Sequence, residues 1–190
     1  MRPFEVRGGE VVAVIEQIEA VLLTQLVGQI KGLLDSTGDS TPDAPRDAAL
    51  LRLLPDAYPG DREASAEFRR FTSAGLADKK VGNADVVARD LATATTSADA
   101  SELRLDGASV QAWLRSLNDV RLVLATRLGI DSDSPIDRDS PIDRDRDSDS
   151  HIDSDAQRML GDVYDWLGWV QGSLVHSLGS ATDGEAGLVR

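Results

Sequence analysis

Two stretches of this chain place an apolar residue at nearly every third or fourth position, a pattern that a strand, with its period of two, cannot bury. From Ala108 to Leu128 the stripe is Val110, Leu114, Leu117, Leu124 and Leu128, widened by Trp113, Val120 and Val123. Asp106 or Gly107 marks its start and Gly129 its end. From Ala156 to Leu178 the stripe is Met159, Leu160, Val163, Leu167, Val170, Leu174 and Leu178, with Trp166 and Trp169 adding bulk. Amphipathic helices of this length bury their faces against other helices, so a bundle is expected. Gly161, Gly168 and Gly172 interrupt the second helix, each at a cost of about 1 kcal/mol relative to alanine. Their presence predicts tight packing against another helix, within the chain or across a homodimer.

Between these helices the composition changes. Asp131 to Asp155 holds ten aspartates opposed only by Arg138, Arg144 and Arg146, a net −7 out of −13 for the 190-residue chain. A tandem repeat lies inside it, Ser134-Pro-Ile-Asp-Arg-Asp139 followed by Ser140-Pro-Ile-Asp-Arg-Asp145. A six-residue period with two prolines is too short for a solenoid unit and reads as an extended, disordered acidic loop over 130–155. Alternating aspartates also invite a calcium-loop reading from Asp145, through Asp147, Asp149 and Asp153. Ser150 and Ala156 stand where the sharp glycine turn and the closing glutamate belong, so a solvated linker is the better reading.

The rest of the chain supplies a small sheet and further helices. Arg2–Val6 and Glu10–Ile15 flank Gly8-Gly9, a turn pair that accepts positive φ, and predict a β-hairpin. Ile15, Ile18, Leu22, Leu26, Ile30 and Leu33 predict a helix ending near Leu34. A short helix spans about Arg46–Leu54 and stops at Pro55, and Asp61 caps another that carries Ala64, Phe68 and Phe71. From Ala74 to Ala94 the signal weakens, because Gly75 and Gly82 interrupt it, leaving Val81, Val86, Val87 and Leu91 as an apolar face. Leu103-Arg-Leu105 reads as an edge strand beside the hairpin. The expected fold is α+β and mostly α-helical: an N-terminal β-hairpin followed by a bundle of about five helices. Its single domain comprises 1–129 and 156–178, with a flexible tail at 179–190.

The chemistry is sparse. There is no cysteine, which excludes disulfides, thiolate metal sites and thiol switching by this chain alone. His151 falls in the acidic loop and His176 near the end of the last helix, where a histidine meets the helix dipole or solvent more often than it acts as a base. No nucleophile elbow, phosphate-cradling glycine loop or zinc helix motif occurs. Carboxylates are abundant, but no spacing singles out a catalytic pair, so no enzyme, metal or cofactor is expected. No apolar run reaches the roughly 20 residues of a membrane span and the N-terminus lacks a secretory apolar core, which predicts a cytoplasmic protein.

Binding is the remaining class. Arg69-Arg70 and Lys79-Lys80 are local basic pairs, while Arg115, Arg121 and Arg127 are spread around their helix rather than forming one stripe. They read as a solvated surface with local pairs such as Asp85–Arg89. A net charge of −13 starts with the wrong field for a nucleic-acid backbone, so direct DNA binding is not favoured. Trp113, Trp166 and Trp169 read most simply as core, although Tyr164-Asp-Trp-Leu-Gly-Trp169 is dense enough in aromatics to place one ring against a partner.

Three segments taken together resemble the actinobacterial oxidative-stress regulator AosR family, formerly described only as a domain of unknown function. They are Leu50-Leu-Arg-Leu-Leu-Pro-Asp-Ala-Tyr-Pro59 with Glu67-Phe-Arg-Arg70; Leu105 and Trp113-Leu leading to Leu117-Asn-Asp-Val-Arg-Leu-Val-Leu-Ala-Thr-Arg-Leu-Gly129; and Val163-Tyr-Asp-Trp-Leu followed by Trp169 and Leu174. The resemblance covers most of the chain outside Asp131–Asp155 and the tail. It implies a cytoplasmic transcriptional regulator that works with a sigma factor and RNA polymerase in redox defence. Family members thought to sense oxidant do so through a cysteine pair, and this chain departs from that pattern. The expectation is a non-enzymatic regulator acting by protein contact, with Arg69, Arg70, Lys79, Lys80, Trp166 and Trp169 as contact residues. The alternative is a structural or adaptor protein, a homodimer joined through the glycine-bearing last helix.

Overall fold

A computed structural model of the chain describes residues 1–36, 47–55, 62–130 and 150–186, without the side chains of 62–71, 150–153 and 180–186. The hairpin forms as its sequence requires. β1 (Glu5–Arg7) and β2 (Glu10–Ile15) pair in register Arg7↔Glu10 and Glu5↔Val12. Gly8 and Gly9 turn the chain at φ of 61° and 87°, the two positive values a tight hairpin turn needs. β3 (Ser101–Leu105) adds antiparallel to β2, so the expected edge strand completes a three-stranded sheet in the order β1-β2-β3. Alternation sorts its two faces. Val11, Ala13, Ile15, Leu103 and Leu105 are buried in the core. The opposite face buries Val12 beneath an ion-pair lattice in which Arg7 meets Glu102 at 3.1 Å, and Arg104 meets Glu10 at 3.1 Å and Glu102 at 2.6 Å.

Five helices follow. α1 (Gln17–Asp35) starts where the Glu19 carboxylate accepts the Glu16 N–H at 2.9 Å, and it buries Ala20, Leu23, Leu26, Val27, Ile30 and Leu34. α2 (Ala48–Leu53) is capped by the Asp47 carboxylate, which accepts the Ala49 N–H at 2.8 Å. α3 (Arg62–Thr96) is one helix of 35 residues that joins the helix expected after Asp61 to the weaker stretch from Ala74 to Ala94. Gly75 and Gly82 do not break it. Its buried stripe is Ala84, Val87, Leu91 and Ala94, and α3 packs along α1. Two of those four residues are alanines, which a search for large apolar side chains passes over, although small side chains let helices approach closely.

α4 (Gly107–Arg127) is the central helix and packs against α1, α2, α3 and α5. Asp106 accepts the Ser109 N–H at 2.7 Å, and this bond holds its carboxyl below the usual value. At the other end Gly129 takes φ 68°, the Gly129 N–H reaches Thr126 O at 3.2 Å and the Ile130 N–H reaches Ala125 O at 2.8 Å. That is the double closure of a Schellman motif. Trp113 is completely buried, edge-on to Phe4 at 5.9 Å, and its indole N–H donates to Asp90 at 3.0 Å.

α5 (Ser150–Ala186) starts six residues before the expected Ala156 and continues eight past Leu178. It therefore takes in the last residues of the segment read as a loop and most of the segment read as a tail. Asp153 and Asp155 fall near its N-terminal end, where the helix dipole favours negative charge. The linker reading otherwise falls on 131–149 and the tail reading on 187–190, both outside the described residues, as does the Asp61 cap. Leu167, Val170 and Leu174 are fully buried. α3 and α4 run antiparallel, since Lys80 meets Asp119 and Asp90 meets Trp113. α4 and α5 do as well, since Arg121 meets Gln171 while Leu178 stands beside Gly107 and Val110.

Candidate functional site

α3 and α5 both pack against α4, and where the three meet lies a groove of about 550 Å³ lined by α3, by α4 and, at its α5 side, by Gln171. α3 lines it with Leu76, Lys79, Lys80 and Asn83, residues spaced three, four and seven apart and so on one helical face. α4 contributes Leu114, Arg115, Asn118 and Asp119, and α5 contributes Gln171. The groove therefore carries two exposed cations, three side-chain amides and two leucines around one buried ion pair.

That pair is Lys80 with Asp119, 2.5 Å apart, with side chains 16% and 5% exposed. Burial pushes the Asp119 carboxyl above its usual value, and the Lys80 ammonium opposes the shift without cancelling it. Lys80, expected as a contact residue, is the counter-charge of this buried acid. Lys79 and Arg115 are exposed and make no ion pair among the described residues. Leu76 is 40% exposed, a large apolar side chain at the groove wall.

Beside the groove, Arg121 ties α4 to α5. Its guanidinium lies 4.7 Å from the centre of the Tyr164 ring, Nη1 donates to Gln171 Oε1 at 2.8 Å, and Nε is buried without a hydrogen-bond partner. The solvated-surface reading fails for this arginine. Removing it to Ala lowers stability by about 1–3 kcal/mol, read from the urea midpoint, and Lys does not restore it because an ammonium lacks the planar stack. Asp85 pairs with Lys31 and Arg89 with Asp90, in place of the expected Asp85–Arg89 pair. The tight glycine packing expected of α5 is not found among the described residues. A Cβ at Gly161 or Gly172 meets nothing within 4 Å among the described residues, and at Gly168 its nearest neighbour is the Arg121 guanidinium, at 3.5 Å.

The remaining contact residues divide. Arg69 and Arg70 lie on α3, with their side chains outside the described residues. Trp166 is half-buried against the core, whereas Trp169 is 45% exposed on the outer side of α5. Asn83, Asn118, Asp119 and Gln171 were missed, and Arg115 was read as solvated surface, which its exposure matches. Leu76, Lys79, Lys80 and Asn83 share one helical face, but nothing local in the sequence shows which helix lies beside it.

Among the described residues no group of three His, Cys, Asp or Glu is placed to hold a metal ion, and no helix is long and apolar enough to cross a membrane. Residues 1–178 match a family model described as Domain of unknown function (DUF2017). The chain is 31% identical to the putative oxidative stress regulator AosR of Mycobacterium leprae, over 65% of this chain and 67% of that protein. It is likewise 31% identical to the oxidative stress regulator AosR of Mycobacterium tuberculosis, over 62% of this chain and 64% of that protein. The matched region thus spans about two thirds of the length of these relatives. No solved structure matches the chain. With a family model matching from the hairpin through the buried face of α5, the chain belongs to the DUF2017 family, together with the mycobacterial AosR oxidative stress regulators.

Proposed function

We propose that this chain is a non-enzymatic transcriptional regulator of the stress response that acts by contact with a sigma factor or RNA polymerase in the cytoplasm. Family membership with the oxidative stress regulators supports the regulatory role. The observation that carries the contact mechanism is the groove. Its side chains are leucines, amides and exposed cations, a mixed apolar and polar surface suited to a protein partner, and its one perturbed acid is already matched to Lys80. With no cysteine, the chain cannot read an oxidant through its own thiols, so the signal arrives through a partner or a different chemistry.

The test is retention of RNA polymerase on the immobilised full chain, with and without each stress sigma factor, at two salt concentrations. Retention that requires one sigma factor is expected. Lys79→Glu with Arg115→Glu weakens it by about tenfold or more at unchanged thermal midpoint, because both residues are exposed and neither supports the core. Absence of retention under every combination overturns the proposal.

A further inference from the structure

We infer that the groove between α3 and α5 seats an acidic amphipathic helix of the partner protein, an inference that deepens and rests on the reading of the chain as a protein-contact regulator. The geometry follows from the antiparallel run of α3 and α4. With Lys80 level with Asp119, Leu76 and Lys79 stand toward one end of the groove, while Leu114 and Arg115 stand toward the other. Each end therefore offers one leucine and one exposed cation. At 1.5 Å per residue the leucines are about 13 Å apart along the helix axes and the cations about 8 Å.

Between them the Lys80–Asp119 pair is internally neutral, so the positive charge belongs to Lys79 and Arg115. The complement is a helix about two turns long at the contact. It presents apolar side chains seven residues apart with carboxylates at the two positions between them, three and four residues in, all on one face. The long Glu, Lys and Arg side chains cover the remaining offset, and the amides of Asn83, Asn118 and Gln171 supply hydrogen bonds to a polar rim.

A nucleic acid fits less well. Two cations neutralise two phosphates, a phosphate backbone makes no use of Leu76 or Leu114, and a polyanion meets the −13 charge of the whole chain. A partner carrying a pair of carboxylates meets the local positive charge and buries its leucines as well.

The test uses the full chain and a fluorescein-labelled, alanine-based helical peptide of about 15 residues bearing Leu-x-x-Glu-Glu-x-x-Leu. Fluorescence anisotropy should show saturable binding that weakens with salt. Lys79→Glu with Arg115→Glu reduces it by about tenfold or more, while Arg127→Glu, an exposed cation on α4 outside the groove, leaves it unchanged. A peptide with lysines in place of the glutamates does not bind.

The inference is overturned by absence of binding at millimolar peptide, by binding indifferent to Lys79 and Arg115, or by tighter capture of a DNA duplex through those same residues. It is also overturned if the peptide binds only after the aspartates of 131–149 are replaced by serine, which would assign the groove to the chain's own acidic segment. The polymerase assay fails separately. A chain that binds the peptide but retains no polymerase keeps this groove and loses the proposed function. Retention untouched by the groove variants does the reverse.

Discussion

Replacing Lys80 with methionine destabilises the fold by about 3–5 kcal/mol, because it leaves the Asp119 carboxylate buried without a counter-charge. Asp119 is only 5% exposed, and Lys80 is the cation whose hydrogen bond and charge oppose its desolvation. The double variant Lys80→Met with Asp119→Leu recovers most of the loss, since two apolar side chains of similar reach need no charge compensation in the same space. The deficit of the single variant also depends on pH. The Asp119 carboxyl is raised above 3.8 in the native chain, so its contribution is fully present below that value and is lost as pH rises through the raised one. Removing Lys80 raises it further and extends the loss upward in pH. Urea unfolding near the ordinary aspartate value and again near neutrality should show a small deficit in the first and the full one in the second. Equal deficits at both would mean that the pair is solvated in solution and that Lys80 is a groove cation like Lys79.

Trp113→Ala costs about 3–5 kcal/mol, the range for deleting a large aromatic from a packed core. The indole is completely buried, packs edge-on against Phe4, and joins the sheet end of the molecule to α3 through its bond to Asp90. Trp113→Phe separates the two contributions. The ring volume is mostly kept, so its cost falls to about 1–2 kcal/mol and reports the lost N–H donor. Asp90 still accepts from Arg89 at 3.1 Å, and its carboxylate is 13% exposed, so it is not stranded. Differential scanning calorimetry of the two variants reads both values. A phenylalanine variant as damaged as the alanine one would place the hydrogen bond, rather than packing, at the centre of this site.

These two residues show how far the sequence reaches. Trp113 was legible as core because it widens a stripe of period 3.6, and a stripe states which face is buried. Lys80 was not legible. It sits beside Lys79 in an outwardly polar run, and its partner is 39 residues away on another helix. A local pattern records the periodicity of one element and carries no information on which element lies opposite. The same reason explains Arg121. Its spacing from Arg115 and Arg127 correctly excluded one basic stripe, yet only the packing of α5 shows that its guanidinium is enclosed over Tyr164. The groove inherits this limit, because it exists only where α3, α4 and α5 meet.

What the sequence determined by itself was therefore local. Gly8-Gly9 specified the hairpin turn, Asp106 and Gly129 bounded α4, and the apolar period of α4 assigned its buried face, as did that of α5 from Leu160 onward. The stripe read for α1, in contrast, was set off the true face, which buries Ala20, Leu23, Val27 and Leu34 and leaves Ile18 exposed. Composition removed thiol chemistry, because no cysteine is present to supply it. Tertiary structure decided the rest. It kept α3 continuous through Gly75 and Gly82, since burial of Ala84, Val87, Leu91 and Ala94 in the core that α3 shares with α1 outweighs two glycines worth about 1 kcal/mol each. It also turned Lys80 inward while leaving Lys79 outside, because adjacent residues on a helix point about 100° apart and only one of the two directions meets Asp119.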